Sequence, residues 1–324
     1  MNTASVPVLI HPSQFPDAVT ADLAASLRSR AVNHKFHYDT VKQTGKWMAL
    51  HQAFSPAVTD PGCLAVYDQA GAAAVAQVRK RAELVGLGCG TGSKDAPLLR
   101  ALGRRGIPST YLAVDSSVPM TLLARQNTTP SAQLLVCDLA SSLGAPLELL
   151  NRPEPGVRRL VTFYGMIPNF EPDRILPVLS SLLAPDDILL LSANLAPGGD
   201  YAAGARAILP LYDNALTRDW LMLFLLDLGF EATDGDLGFT VQAAPQGSGL
   251  LRIEANYRLR QARQISAVGE LFRFQNGENI RLFFSYRHTP QLVQRLLDQH
   301  EMTVDDQWIN DSGEEGVFLA RKRP

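Results

Sequence analysis

The chain has 324 residues, 46% of them apolar, and 30 basic against 32 acidic side chains; it can bury a large core in one or two domains, and its net charge of −2 comes without any basic tract that would bind nucleic acid. Three cysteines, Cys63, Cys89 and Cys137, are too few and too scattered for a disulfide framework or a Cys-x-x-Cys metal site, which points to a reducing compartment. The opening "MNTASVPVLIHPSQF" lacks a basic cluster followed by an apolar run, and no segment holds the roughly 20 apolar residues that cross a bilayer, so a cytoplasmic protein without membrane contact is expected.

From residue 73 to about 195, short apolar runs alternate with amphipathic stretches. "AELVGLG", "TYLAVD", "AQLLVCD", "RLVTFYG" and "DILLLSAN" read as strands, and "SKDAPLLRALGRRG", "PMTLLARQN" and "PDRILPVLSSLLA" as the helices between them. This alternation predicts βαβ units, hence a parallel sheet covered by helices on both faces. Beyond about 196 the texture changes. "APGGDYAAGARAILPLYDNALTRDWLMLFLLDLG" leaves a glycine-rich loop and runs on helically, and "GLLRIEANYRLRQARQIS" and "IRLFFSYRHTP" read as long strands of an antiparallel insertion. A helix opening on Pro290 and two strands, "MTVDDQWIN" and "EGVFLARKR", joined by "DSGE", return the chain to the first sheet.

"ELVGLGCGTGSKD" carries glycines at 86, 88, 90 and 92, but no start point gives the first, third and sixth spacing of the dinucleotide fingerprint. What it offers is G-x-G-x-G at the end of a strand, a bare backbone able to lie against an amino-acid-like group such as the methionine end of S-adenosylmethionine. Successive strands of a doubly wound sheet end on one rim, so Asp115 after "YLAV" can accept two ribose hydroxyls and Asp138 after "LLVC" the adenine amine. Taken singly, the glycines could mark a tight turn and the aspartates cap helices; their order and spacing favour the cofactor. Gly-Lys-Ser/Thr is missing, since Lys94 lies too far along the loop with no hydroxyl residue after it. None of the six histidines has metal spacing, no metal site is expected, and no G-x-S-x-G elbow follows a strand.

"KFHYDTVKQTGKW", "LVGLGCGTGSKD", "TFYGMIPNFEP", "LYDNA", "RIEANY" and "GENIRLFFSYRHTP" together resemble the histidine-specific methyltransferases of ergothioneine biosynthesis and their relatives, among them the fungal N-methyltransferases of dimethylallyl-tryptophan. The resemblance runs from about residue 33 to 321. It implies an α/β fold: a class I methyltransferase doubly wound, Rossmann-like sheet (60–195 and 288–324) with a second α+β substrate domain built from an N-terminal segment and an insertion (20–59 and 196–287). It implies S-adenosylmethionine held by Gly86, Gly88, Gly90, Lys94, Asp115, Asp138 and Leu139. It further implies a free amino acid held by its backbone at Tyr38, Asn169 and Tyr212 and methylated on the α-amine, with Tyr38 orienting that amine, in a monomer or weak dimer.

The side-chain pocket departs from the family. The histidine enzymes read the imidazole with a tyrosine, a carboxylate and a serine, and the matching positions are Ser55, Phe283 and Ser285; a pocket methionine is replaced by Ala255. An imidazole N–H facing Phe283 would lose a hydrogen bond, at about 1–3 kcal/mol, while a larger apolar side chain would gain burial. The expected reaction is therefore α-N-methylation of an amino acid with an apolar or aromatic side chain, tryptophan-like or tyrosine-like. The other readings are a histidine methyltransferase with a rearranged pocket, a silent S-adenosylmethionine-binding scaffold and, last, a nicotinamide oxidoreductase.

Overall fold

The computed structural model describes residues 5–141, 156–245 and 248–323. In chain order its strands are β1 (Leu9–Ile10), β2 (Arg81–Leu87), β3 (Ser109–Asp115), β4 (Gln133–Val136), β5 (Val157–Phe163), β6 (Ile188–Asn194), β7 (Gly235–Ala243), β8 (Leu251–Leu259), β9 (Arg263–Ala267), β10 (Glu270–Phe274), β11 (Asn279–Arg287), β12 (Met302–Ile309) and β13 (Glu315–Lys322). The principal sheet runs β1-β4-β3-β2-β5-β6-β13-β12. Its first six strands are parallel, and the closing pair β13 and β12 is antiparallel. Winding reverses at β2, which has β3 on one side and β5 on the other, and the crevice of a doubly wound sheet lies at such a reversal.

Alternate residues of each central strand go to opposite faces. Val85, Leu87, Leu189 and Leu191 pack with the helices Pro172–Leu182 and Pro290–Asp298. Leu84, Ile188 and Leu190 pack with Pro61–Ala76, Ala96–Arg104 and Val118–Asn127. A second core unites the helices Pro16–Ser29 and Ala215–Asp227 with the three-stranded sheet β11-β8-β7.

Two local expectations are corrected. The long helical run after 200 is three helices, Tyr201–Ala207, Leu209–Tyr212 and Ala215–Asp227, because Pro210 opens a new helix and Asn214 caps the third through Thr217 N at 2.9 Å. The strand read through "RIEANYRLRQARQIS" stops at Leu259, and its end forms a separate hairpin with β10. That hairpin turns at Val268 and Gly269, both at positive φ (48° and 77°), the two-residue turn whose twist suits antiparallel strands. The predicted elements leave out β7, although Leu237, Phe239 and Val241 alternate there with Asp236, Gly238 and Thr240, and the edge strand β1, paired in parallel with β4 and too short at two residues to show any period.

Arg159 and Asp187, 4% and 2% exposed, form a buried ion pair between β5 and the turn before β6, with Arg159 Nε donating at 2.9 Å. Removing one partner strands a buried charge, so Asp187→Ala should cost about 3–5 kcal/mol in urea unfolding. Its neighbour Asp186, with a side chain 98% exposed, serves as control, and Asp186→Ala should leave the midpoint unchanged. Equal midpoints for the two variants would refute the pair's role.

Candidate active site

One cavity lies over the carboxyl ends of the parallel strands and is roofed by the second core. Gly88 and Gly90 line it at φ +63° and +51°, conformations that suit glycine. A Cβ on Gly88 would stand 2.3 Å from Met166 Sδ. Gly86 does not line the cavity: it is buried in β2, where a Cβ would come within 2.4 Å of Asp95 Oδ2. Its bareness lets strand and carboxylate approach, which is a structural service and not a cofactor contact.

Asp115, the last residue of β3, accepts Gly90 N on Oδ2 and Ser117 N on Oδ1, both at 3.0 Å. Each oxygen keeps a second lone pair for a ligand hydroxyl. Burial pushes its carboxyl up to about 6, and the N–H groups of Gly90, Ser117 and Ser116 pull against that rise. Asp138 and Leu139 also line the cavity. Asp138 Oδ1 accepts Ala140 N at 2.9 Å, and Oδ2 lies 3.6 Å from Lys35 Nζ, a buried cation that also binds Asp22. Lys94 donates to Tyr67 Oη at 2.8 Å, and Tyr67 in turn donates to Glu315. The bare loop, the carboxylate at the end of β3 and the ammonium of Lys94 suit the methionine and ribose of an S-adenosyl ligand.

At the other end of the cavity stand Tyr38, Ser55, Asn169, Tyr212, Phe283 and Ser285. The short 3-10 helix His34–His37 leads into Tyr38, whose carbonyl accepts Ser117 Oγ at 2.7 Å, tying the residue to the cofactor end. Burial, Asp115 and Tyr212 all raise its phenol, so Tyr38 stays protonated and can orient a group but not act as a phenolate base. Its ring belongs to an aromatic wall: Trp220 at 5.5 Å, Trp47 at 6.0 Å, and beyond Trp220 the ring of Phe283 at 5.6 Å. His34 stands 5.0 Å from Phe283. Burial, His37 and Arg281 hold His34 well below 6.5, and burial and Lys94 lower His51 to about 4, so both rings are neutral at pH 7. Asn169 ends the turn Ile167–Asn169, and Ser55 joins two helices.

Ala255 is not on the cavity wall. It is fully buried and pairs directly with Phe239 and Phe283 in the three-stranded sheet, so the smaller side chain there widens nothing that a ligand reaches. Sequence reasoning also missed wall residues. Asn194, the last residue of β6, follows from the same rim rule that finds Asp115, and Arg287 lies two and four places from Ser285 and Phe283 on one face of β11. Tyr212 Oη donates to Ser285 Oγ at 3.0 Å and accepts from Arg287 at 2.7 Å. Among the described residues no group of three or more metal-ligating side chains occurs, and no helix is long and apolar enough to cross a membrane.

The raised carboxyl of Asp115 gives a pH test. Below about pH 6 it gains a proton and loses acceptor capacity, so affinity for S-adenosylhomocysteine should fall as pH drops from 7.5 to 5. Asp115→Asn should bind several-fold to a hundredfold more weakly at pH 7.5, on the order expected for charge-assisted hydrogen bonds, and lose most of that pH dependence. Calorimetry showing the variant as tight as the parent would remove Asp115 from the ligand.

Comparison with known proteins supplies independent information. The family model "Histidine-specific methyltransferase, SAM-dependent" matches residues 21–213 and 239–322. A histidine N-alpha-methyltransferase of Mycobacterium tuberculosis (strain CDC 1551 / Oshkosh) is 27% identical over 272 residues, 78% of this chain and 79% of that protein. Solved structures that align include the 1,6-didemethyltoxoflavin-N1-methyltransferase of Burkholderia thailandensis (13% identity, 99% and 94% of the two chains, TM-score 0.44) and the CcbJ methyltransferase of Streptomyces caelestis (13%, 80% and 90%, TM-score 0.41). Their likeness is too distant to speak for substrate or site. The family model spans most of the chain, and the protein belongs to the histidine-specific, S-adenosylmethionine-dependent methyltransferases.

Proposed function

We propose that the chain methylates the α-amine of a free amino acid whose side chain is apolar or aromatic, tryptophan-like or tyrosine-like in preference to histidine. The observation that carries this reading is Phe283. Where the histidine enzymes are expected to present a carboxylate, this cavity presents a phenyl ring, 7% exposed, flanked by the rings of Trp220, His34 and Tyr212. Such a wall gains by covering an apolar ring, at about 25 cal/mol per Å² buried, and has no acceptor for an imidazolium. The name of the mycobacterial relative favours the α-amine as acceptor and keeps histidine methylation as the second reading; Ser285, which matches the family's serine, supports it as well.

S-adenosylmethionine supplies an activated methyl group on a sulfonium. The chain's task is alignment, for which well-oriented pairs gain up to about 7–11 kcal/mol. In this reading Asn169 and Tyr212 fix the substrate's backbone and the Tyr38 hydroxyl points the amine toward the methyl. That hydroxyl has no hydrogen-bond partner among the described residues and is free to take one. With Tyr38 protonated and His51 a weak base, water is the acceptor of the amine's proton.

Labelled S-adenosylmethionine with each of the twenty amino acids should mark an aromatic one best. Phe283→Glu should lower kcat/KM on that substrate and raise the relative rate on histidine, by removing apolar cover and giving the ring N–H a partner. Efficient methylation of histidine alone by the unmodified protein would overturn the side-chain reading. Asn169→Ala and Tyr212→Phe should each cost about 1.5–3 kcal/mol in kcat/KM with little change in S-adenosylhomocysteine affinity; normal turnover by both would overturn the backbone assignment.

A further inference from the structure

Four Lys or Arg side chains are buried among the described residues: Lys35, Arg159, Arg252 and Arg287. Three have carboxylates within ion-pair distance, Lys35 with Asp22 and Asp138, Arg159 with Asp187, and Arg252 with Glu171 and Glu254. Arg287 has none among the described residues. Its guanidinium, 5% exposed and on the cavity wall, meets only neutral acceptors, Tyr212 Oη at 2.7 Å and the Leu195 carbonyl at 3.4 Å, and its buried Nε has no partner. A buried cation kept without a counter-ion is costly, and cost of that kind is offset when an anion arrives from outside.

The neighbours point the same way. Tyr212 Oη accepts from Arg287 and lies 3.5 Å from Asn194 Nδ2, while its own proton goes to Ser285 Oγ, which also takes Asn194 Nδ2 at 3.3 Å. The acceptor capacity of both hydroxyls is thus largely used, and what remains toward the cavity is the Ser285 proton and guanidinium N–H groups. A corner made of donors fits an acceptor-only group, and a carboxylate is the acceptor-only end of an amino acid.

Building on the proposed α-amine reaction, we propose that Arg287 is the counter-ion of the substrate's free α-carboxylate, so that the enzyme takes free amino acids and rejects their amides and the amines that lack the carboxyl. The cofactor's own carboxylate has a different partner. Lys94, at the end of the glycine loop, likewise has no carboxylate within ion-pair distance among the described residues, and it sits where the methionine end would lie. Two unpaired cations therefore face two incoming carboxylates. Arg287, on the same face of β11 as Phe283, takes the one whose side chain Phe283 covers.

The test uses the full-length protein and whichever of the twenty amino acids it turns over fastest, beside that amino acid's primary amide and decarboxylated amine. The unmodified protein should favour the free acid by on the order of a hundredfold or more in kcat/KM, mainly through KM. Arg287→Met should lose that preference, turning over acid and amide at similar low rates; Arg287→Lys should retain part of it; both should bind S-adenosylhomocysteine as the parent does, which also shows them folded. If Arg287→Met does not fold, Arg287→Lys carries the test: a partial loss of the acid preference with parental S-adenosylhomocysteine affinity supports the assignment, and an unchanged preference overturns it. Equal kcat/KM for acid and amide overturns the assignment while leaving the α-amine reading intact. Loss of S-adenosylhomocysteine affinity in Arg287→Lys overturns it in favour of the cofactor's carboxylate. Turnover of none of the twenty overturns both readings together.

Discussion

The carboxylate of Asp95 holds the centre of this protein together. It lies beneath Gly86 of β2, accepts Tyr111 Oη from β3 at 2.6 Å and accepts Thr162 Oγ1 from β5 at 2.7 Å, so one buried acid spans the strands on either side of the winding reversal. Burial raises its pKa, and the two hydroxyl donors oppose that rise. Asp95 is also the residue at which the glycine loop hands over to the helix Ala96–Arg104. The loop is therefore anchored where the winding reverses, on the cavity wall that Asp95 itself helps to line. Asn127 adds a second tie, donating to the Thr91 carbonyl at 3.0 Å.

The alternation of short apolar runs with amphipathic stretches made the parallel part of the principal sheet legible, because β2 to β6 are buried on both faces over most of their length. The same reasoning found Asp115, since a residue's place at the end of a parallel strand fixes the rim it occupies. It reached Asp138 as well, although β4 ends at Val136 and the acid stands two residues beyond. What stayed illegible depends on chain segments that are distant in sequence. Lys35 beside Asp138 and Trp220 beside Tyr38 come together only when the N-terminal segment folds across the insertion. Ala255 is expected in the pocket because the family's pocket methionine matches that position, but on β8, the neighbour of β11 in the sheet, it is fully buried, and Phe283, paired with it on β11, lines the cavity. The hairpin β9–β10 was hidden for a different reason: its turn uses Val268 at positive φ, a choice that turn statistics argue against.

The cavity is chemically divided. Near the strand ends it offers carboxylates and backbone N–H groups; toward the inserted sheet it offers rings on one side and donors on the other. Trp220 is fixed in that wall by its indole N–H, which donates to the His37 carbonyl at 2.8 Å, and a ring held in this way is a preformed surface that costs little further ordering when a ligand covers it. The donor corner is equally preset by the hydrogen bonds among Asn194, Tyr212 and Ser285.

β11 joins these two functions through the alternation of a single strand. Phe283, Ser285 and Arg287 reach the cavity, while Phe284 and Tyr286 face the main core, where Tyr286 donates to Glu171 at 2.5 Å and accepts from Arg252 at 3.3 Å. Position 283 therefore sets the apolar lining of the cavity and part of the second core, while Ser285 and Arg287, two and four places further on, set the donor corner. In the reading proposed above, substrate range can shift along this strand while the hold on the amino-acid backbone persists. The limit is set by the neighbours of Phe283: Trp220 and the neutral His34 offer a carboxylate little solvation, so an acid at 283 is tolerated only with a cationic or hydrogen-bonding substrate beside it. The ring at 283 needs no such partner.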